Sequence, residues 1–307
     1  MIKILFFSGL HGIIYIHMEK ILVIGASNID FLAFPKGKLR MGDSNIGSVD
    51  FAFGGVGRNI AENLARLGND VSFISAFGED VFGEMLKKNL SSLGIDLKGS
   101  VASGKRSGMY VAIANQEGEL VCAICENEIV TEIDREHLAR NLDYINSFSH
   151  LFLDANLSPE ALDFLFRNAT GKVYIDATSV AKSGLFKPYL SRITLLKGNR
   201  AEICSLGESD DLEEGMKNLI ASGVTLVAAT DGAASVRFNH GREILSIPVP
   251  PARVASTNGA GDAFLSGVIH GLLNGKTFSE GIVYGIKAAQ ATLLVPGACN
   301  PDLVKYL

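Results

Sequence analysis

Between His150 and Ala229 the chain repeats one pattern: a short apolar run of strand length, a polar residue at its end, then helical spacing. His150–Leu153 ends in Asp154-Ala155-Asn156 and precedes a helical Pro159–Asn168. Val173–Ile175 ends in Asp176, Ile193–Leu196 runs into Lys197, and Leu226–Ala229 runs into Thr230-Asp231-Gly232. Apolar runs this short and continuous belong to strands buried on both faces. Their alternation with helices requires parallel strands, right-handed crossovers and helices on both faces of the sheet. The first strand, Lys20–Ala26, has the same character, Val71–Phe77 reads as another, and Val81–Leu93 reads as a helix closed by Gly94. The fold class is therefore α/β, a doubly wound, mostly parallel sheet flanked by helices. Ligands of such sheets bind beyond the carboxyl ends of the strands, which makes Asn28 and Asp30, at the end of the first strand, candidates for contact.

Two stretches break the alternation. Residues 31–53 mix Phe31, Phe34, Val49, Phe51 and Phe53 with charged residues, and Met109–Ala114 and Glu119–Cys125 are joined by the hairpin signal Asn115-Gln-Glu-Gly118. A hairpin has no place inside a βαβ series, so about 31–53 and 103–128 are assigned to a small sheet covering the site. Residues 18–307 then form one domain, which their number allows. Residues 1–17 hold an apolar run too short to span a membrane, and Met18 reads as the start of the domain with an extension upstream. A signal peptide is the alternative, although Lys3 is its whole basic region.

Composition removes several classes. A net charge of −5 argues against a nucleic-acid groove, and 47% apolar residues fit a covered parallel sheet. The partner is a small molecule, with no nucleic acid or membrane, and the location expected is cytoplasmic. Four cysteines give no disulfide framework, and Cys122 and Cys125, three apart on a strand, point to opposite faces rather than forming a metal or redox pair. Gly271-Leu-Leu-Asn-Gly-Lys-Thr277 lacks the first glycine of a phosphate-binding loop and ends a helix, so it reads as a cap with a solvated lysine.

Ser256-Thr-Asn-Gly-Ala-Gly-Asp-Ala-Phe264 opens a helix after the prolines at 248, 250 and 251. A helix start presents unpaired N–H groups and partial positive charge, a cradle for an anion, and glycine permits close approach. Asp262 repels a phosphate unless it is there to take a proton; as a helix cap it is equally at home.

Asn258-Gly-Ala-Gly-Asp-Ala-Phe264 resembles the C-terminal signature of the PfkB (ribokinase-like) family of sugar and nucleoside kinases, and Gly54-Gly-Val-Gly-Arg-Asn59 resembles its first signature. Asp43-Ser44-Asn45, the run Gly54–Gly68, Asp154-Ala-Asn-Leu157 and Ile175–Lys182 are most similar to the pseudouridine-phosphorylating branch of that family. The resemblance implies a ribokinase-like fold whose small sheet is a lid and often a dimer contact. It implies Asp262 as catalytic base and Gly259, Ala260 and Gly261 as the anion hole. Asn28, Asp30, Asn45, Gly54, Gly55, Asn59 and Asn156 would meet the substrate, with Asp30 gripping sugar hydroxyls. Lys197, Asn199, Thr230, Gly232 and Asn258 would meet ATP. Asn199 and Glu202, in Lys197-Gly-Asn-x-x-Glu, would organise Mg2+ largely through water, although N-x-x-E alone equally describes a helix cap. Activation by K+ is open, because Ser256 stands where some relatives place an acidic ligand. The small residues Gly285, Ala288 and Ala289 leave room for an adenine ring or for close helix packing.

The activity expected is ATP-dependent phosphorylation of a primary (5′) hydroxyl, most closely that of pseudouridine. Ribose, fructose, adenosine or another nucleoside are alternative acceptors, and a non-catalytic sensor is the reading from a different class.

Overall fold

The computed structural model describes residues 2–5, 14–17 and 19–307. Met18, expected as the start of the domain, lies outside them, as does much of the expected extension. Two short strands, β1 (Ile2–Leu5) and β2 (Ile14–His17), pair antiparallel with each other. There follow β3 (Lys20–Ile24), β4 (Asn28–Pro35), β5 (Gly47–Gly54), α1 (Val56–Arg66), β6 (Asp70–Ile74), β7 (Ala76–Gly78) and α2 (Val81–Ser92). Next come β8 (Val101–Ser103), β9 (Gly108–Ala114), β10 (Leu120–Glu126), α3 (Arg135–Arg140), α4 (Leu142–Asn146), β11 (His150–Leu153) and α5 (Pro159–Asn168). The chain continues through β12 (Lys172–Asp176), α6 (Val180–Ser183), β13 (Ile193–Asn199), α7 (Arg200–Leu206), α8 (Leu212–Ala221) and β14 (Leu226–Thr230). It closes with β15 (Ser235–His240), β16 (Glu243–Pro248), α9 (Ala260–Leu273) and α10 (Phe278–Leu293).

The main sheet has the order β16-β15-β14-β13-β12-β11-β3-β6. Strands β14 through β6 are parallel, and β15 and β16 extend the sheet as an antiparallel edge. Successive strand residues face opposite layers, as a period of two requires. Leu22 and Ile24 of β3 pack with Leu165, Ile203 and Met216 on one side, while Ile21 and Val23 pack with Ile60, Leu86, Leu265 and Ile282 on the other. The order turns at β3, with β6 on one side and β11 on the other, so the crevice at their carboxyl ends is a topological switch point.

The expected single strand Val71–Phe77 is two. At Ser75 the N–H donates to Ser100 Oγ and the hydroxyl to the Gly25 carbonyl, so the chain leaves β3 and pairs as β7 with β8. A second sheet, β10-β9-β4-β5, rises from the carboxyl end of β3 and joins the two stretches that broke the alternation. All of β10 is exposed, and Cys122 and Cys125 are free thiols opposite Ile113 and Tyr110. Gly275 ends α9 in the left-handed region at φ +71°, leaving Lys276 exposed beyond it. Among the described residues no helix is long and apolar enough to cross a membrane.

Candidate active site

The site begins with Asp154 at the end of β11, a fully buried carboxylate. It accepts the N–H groups of Ala26 and Gly57 at 3.0 Å each, and the N–H and side-chain amide of Asn156 at 2.9 and 2.7 Å. Burial still pushes its pKa up against these four donors. The carboxylate fits because residue 25 is glycine: a Cβ there would lie 2.4 Å from that of Asp154. Asp154 thus ties the ends of β3 and β11 to the start of α1. It is absent from the residues the sequence offered as contacts, and its Asx turn with Asn156 was the local signal available.

Asn28 and Asp30 lie on the first turn of the pleat of β4, and the Asn28 amide donates to the Asp30 carboxylate. Burial raises the Asp30 pKa to about 6, opposed by the Arg58 guanidinium and the Asn28 bond. Gly54 faces Asp30 closely enough that a Cβ would meet its carboxylate at 2.2–2.5 Å. Gly55 precedes α1 at φ +97°, and a Cβ there would sit 2.6 Å from the Ala26 carbonyl. Asn156 carries its amide oxygen toward Lys182 Nζ while donating to Asp154. Asn45 is placed elsewhere. Its amide bonds Arg40 and Asp43 inside the exposed β4–β5 turn, two residues before the Gly47–Pro35 pair. The Asp30–Ala52 pair is five register positions further along, about 17 Å at strand rise.

Asp262 sits in the first turn of α9, behind Gly259 in the left-handed region at φ +72°. Its Oδ2 accepts the Asn59 amide at 2.8 Å. Burial and the neighbouring Asp176 carboxylate raise its pKa to about 7, with Asn59 and Lys197 acting the other way. The buried Lys197 ammonium pairs with Asp176 at 2.8 Å and stands 2.9 Å from where a Cβ on Gly261 would be. Beside Asp176, Thr178 occupies the left-handed region at φ +60°, a strained choice for a β-branched residue and one found most often near functional sites. The helix mouth therefore brings together the backbone N–H groups that open α9, a lysine and a carboxylate with its pKa near 7, the groups needed to take a proton beside an anion.

On the far side of Gly261 a cleft of about 350 Å³ opens. Its walls include Thr230, Gly232, Phe264, Ile286 and Ala289, with Pro250 and Pro251 at the rim. The two alternatives for the small residues of α10 divide. Ala289 lines the cleft, whereas Gly285 packs on α9, its Cβ position 2.7 Å from Val268 Cγ2, and Ala288 is buried beside Ala263 and Ala291. Asn258 is exposed, its N–H donating to Ser256 Oγ at 3.1 Å, and does not line the cleft.

Asn199 and Glu202 form a complete capping box at the start of α7: Asn199 Oδ1 accepts the Glu202 N–H at 2.9 Å, and Glu202 accepts the N–H and amide of Asn199 at 2.8 and 2.9 Å. Burial raises the Glu202 pKa, and Asp176 adds to it. Among the described residues no three His, Cys, Asp or Glu side chains converge as direct ligands. The excess of carboxylate over Lys197 here suits a hydrated divalent ion held through water, a hard cation that keeps its own shell.

A doubly wound sheet with its polar residues gathered at a switch point, and a helix mouth that borders an apolar cleft with buried carboxylates close by, defines a small-molecule enzyme. The chain belongs to the pfkB family of carbohydrate kinases, whose family model matches residues 18–305. It is a carbohydrate or nucleoside kinase that uses ATP, on a ribokinase-like fold. It is 30% identical over 295 residues to the pseudouridine kinase of Escherichia coli (strain K12), covering 93% of this chain and 94% of that protein. A carbohydrate kinase from Agrobacterium tumefaciens superposes with a TM-score of 0.82 at 30% identity, covering 94% of this chain and 96% of that one. The ribokinase of Thermotoga maritima, at 21% identity and a TM-score of 0.85, shares the fold over 94% of this chain and 98% of its own.

Proposed function

We propose that the chain phosphorylates the 5′ hydroxyl of a ribosyl acceptor, pseudouridine in particular, in the cytoplasm where ATP is supplied. The observation that carries the reading is Asp262: a carboxylate with its pKa near 7, held by Asn59 at the glycine mouth of α9, bordering the cleft. Asp30 accepts two ribose hydroxyls, and Asn28 and Gly54 set its place. Asn59 and Asn156 complete the recess. Asp262 takes the proton of the primary hydroxyl as it attacks the γ-phosphate. The N–H groups of Gly259, Ala260 and Gly261 face the charge that develops, and Lys197 adds its ammonium beside them. ATP lies with its base in the cleft between Phe264 and Ala289 and its phosphates toward Thr230, Gly232 and the helix mouth. Asn199 and Glu202 would hold Mg2+ through water, and the ion would supply charge to neutralise the phosphates.

The small sheet acts as a lid that excludes water from the reaction. The exposed apolar side chains of Val49, Phe51, Val111 and Ile124 on this sheet support its use as a homodimer contact. Pseudouridine is favoured over ribose and other nucleosides by the likeness to the E. coli kinase across nearly the whole of both chains. A panel of acceptors with ATP and Mg2+, with and without K+, reading out ADP, tests the assignment. Turnover of ribose, fructose or adenosine with none of pseudouridine would keep the kinase and discard the acceptor.

A further inference from the structure

Arg58 is 3% exposed, a rare position for a guanidinium. Its Nη1 donates to the Phe53 carbonyl at 2.7 Å and to Asn59 Oδ1 at 2.8 Å. Its Nη2 pairs with Glu62 one turn on, and the guanidinium carbon lies 5.6 Å from the Phe53 ring centre. Glu62 pairs on its other side with Arg66 at 2.7 Å, which reaches the Pro301 carbonyl at 3.1 Å. A buried ion pair is a weak reason for this arrangement, because apolar residues of similar size stabilise as well or better. What Nη1 does to Asn59 is a stronger one.

A carboxamide has a donor end and an acceptor end that a half-turn exchanges, while a guanidinium offers donors alone. Nη1 can therefore hold only the oxygen of Asn59. With that end fixed, the amide NH2 faces Asp262 Oδ2, as the 2.8 Å bond requires. The opposite flip would set the Asn59 oxygen against a carboxylate and leave Nη1 facing a donor.

We infer that Arg58 is a positioning residue: by locking the flip of Asn59 it holds Asp262 through one oxygen and leaves the other open to the acceptor hydroxyl. The inference rests on Asp262 being the base. The anchor for the lock is Phe53, the penultimate residue of β5, so the guanidinium links the small sheet to the base through a single nitrogen shared between Phe53 and Asn59. The charged or titratable groups around Arg58 are Glu62 on its own helix, Asp30 on β4 and Cys299, whose Sγ lies 4.0 Å from Nη1. Those around Asp262 are Asp176, Lys197 and Asp154 at three strand ends, and the Cys299 thiol.

Arg58→Lys keeps a cation beside Glu62 and Asp30 but gathers its donors on one nitrogen, without the second nitrogen that lets the guanidinium hold Glu62 through Nη2 while Nη1 reaches Phe53 and Asn59. The test measures kcat, the KM of the acceptor that wild type turns over and the KM of ATP for wild type, Arg58→Lys, Asn59→Ala and the double variant. Arg58→Lys is expected to lower kcat about 10- to 100-fold, the effect of a misaligned catalytic group, with the KM of ATP within about threefold. The double variant is expected to be no slower than Asn59→Ala, because Arg58 acts through Asn59. The acid limb of the kcat–pH profile should move upward in Arg58→Lys, because Asp262 loses a bond that favours its charged form. Losses that multiply in the double variant, or a folded Arg58→Lys protein with kcat and acid limb unmoved, overturn the proposal. If Arg58→Lys does not fold, the Arg58→Gln/Glu62→Gln pair, which removes both charges together, enters the same cycle. An active Asp262→Asn enzyme would remove the base and this proposal with it; an inactive one beside an indifferent Arg58→Lys overturns the role of Arg58 alone.

Discussion

Gly54→Ala tests the substrate side of the site with one methyl group. Gly54 lies outside the left-handed region, so the added Cβ is the whole perturbation. It would fall 2.2 Å from Asp30 Oδ1 and 2.5 Å from Cγ and Oδ2, where ordinary contact starts at 3.4 Å. The difference, 3.4 − 2.2, means that the carboxylate must retreat by about 1.2 Å. Hydrogen bonds to oxygen span only about 2.5–3.2 Å, so that displacement breaks both bonds to a vicinal diol. Bonds to a charged group contribute ~1.5–3 kcal/mol each, and two of them ~3–6 kcal/mol. At ~1.4 kcal/mol per tenfold, kcat/KM for the acceptor should fall by about 10²–10⁴. The KM of ATP should stay within about threefold, since Gly54 does not line the cleft beside Gly261 that is proposed for the nucleotide. Overpacking should cost ~1–3 kcal/mol of stability, visible as a fall of several degrees in Tm. Steady-state kinetics with varied acceptor at saturating ATP, alongside a thermal melt, gives all three quantities. A folded Gly54→Ala enzyme with acceptor kcat/KM within threefold of wild type would show that Asp30 does not grip the acceptor.

Asp262→Asn should lower kcat by about 10²–10⁴ while calorimetry still detects acceptor binding; unchanged turnover would refute the base. With Asp262 as the proposed base working as a carboxylate, and its pKa raised to about 7, kcat should rise with pH through a midpoint near 7. The Asp30 pKa, raised to about 6, should add a further loss of acceptor kcat/KM below that pH. A profile flat between about pH 5.5 and 8 would contradict both assignments. Two substitutions on α10 should part cleanly: Ala289→Phe fills the cleft and should raise the KM of ATP at least about tenfold with Tm little changed. Gly285→Ala sets a Cβ 2.7 Å from Val268 Cγ2 and 2.8 Å from the Phe264 carbonyl, and should lower Tm with the KM of ATP nearly unchanged.

The parts of this molecule that could be read in advance are those whose signal is local. Each strand of the parallel series carries its apolar run and its terminal polar residue in consecutive positions, so the strands and the polar residues at their ends followed from periodicity, while the roles of those residues came from the likeness to a family. The mouth of α9 was equally legible, since glycine and Asp lie within one turn. Asp154 and Arg58 were not, because what they do is made by partners far away in sequence. Asp154 meets Ala26 and Gly57, 128 and 97 positions distant, and the Asn59–Asp262 bond that gives Arg58 its meaning spans 203. Where a local pattern had two meanings, the neighbour chose: Gly285 and Ala289 lie one turn apart on α10, yet one meets Val268 and the other the cleft. N-x-x-E at 199–202 keeps both of its meanings, since a closed capping box leaves the carboxylate lone pairs to accept a hydrated ion as well.

Glycine explains why the charged groups stand where they do. Asp154 is lodged against Gly25, Asp30 against Gly54 and the Lys197 ammonium against Gly261, each where a Cβ would come within 2.9 Å of the charged residue's side chain. A charge seated on bare backbone is held by geometry in a way that surface pairs are not, and it costs the fold the desolvation that raises the pKa values of both seated carboxylates, Asp30 and Asp154. Gly54 and Gly261, one from each signature, are thus steric permissions for particular side chains. A glycine that faces no charge, such as Gly285, should respond to substitution through stability, and one that does, such as Gly54, through the acceptor. That division follows from the distances alone and holds for whichever sugar or nucleoside the enzyme accepts.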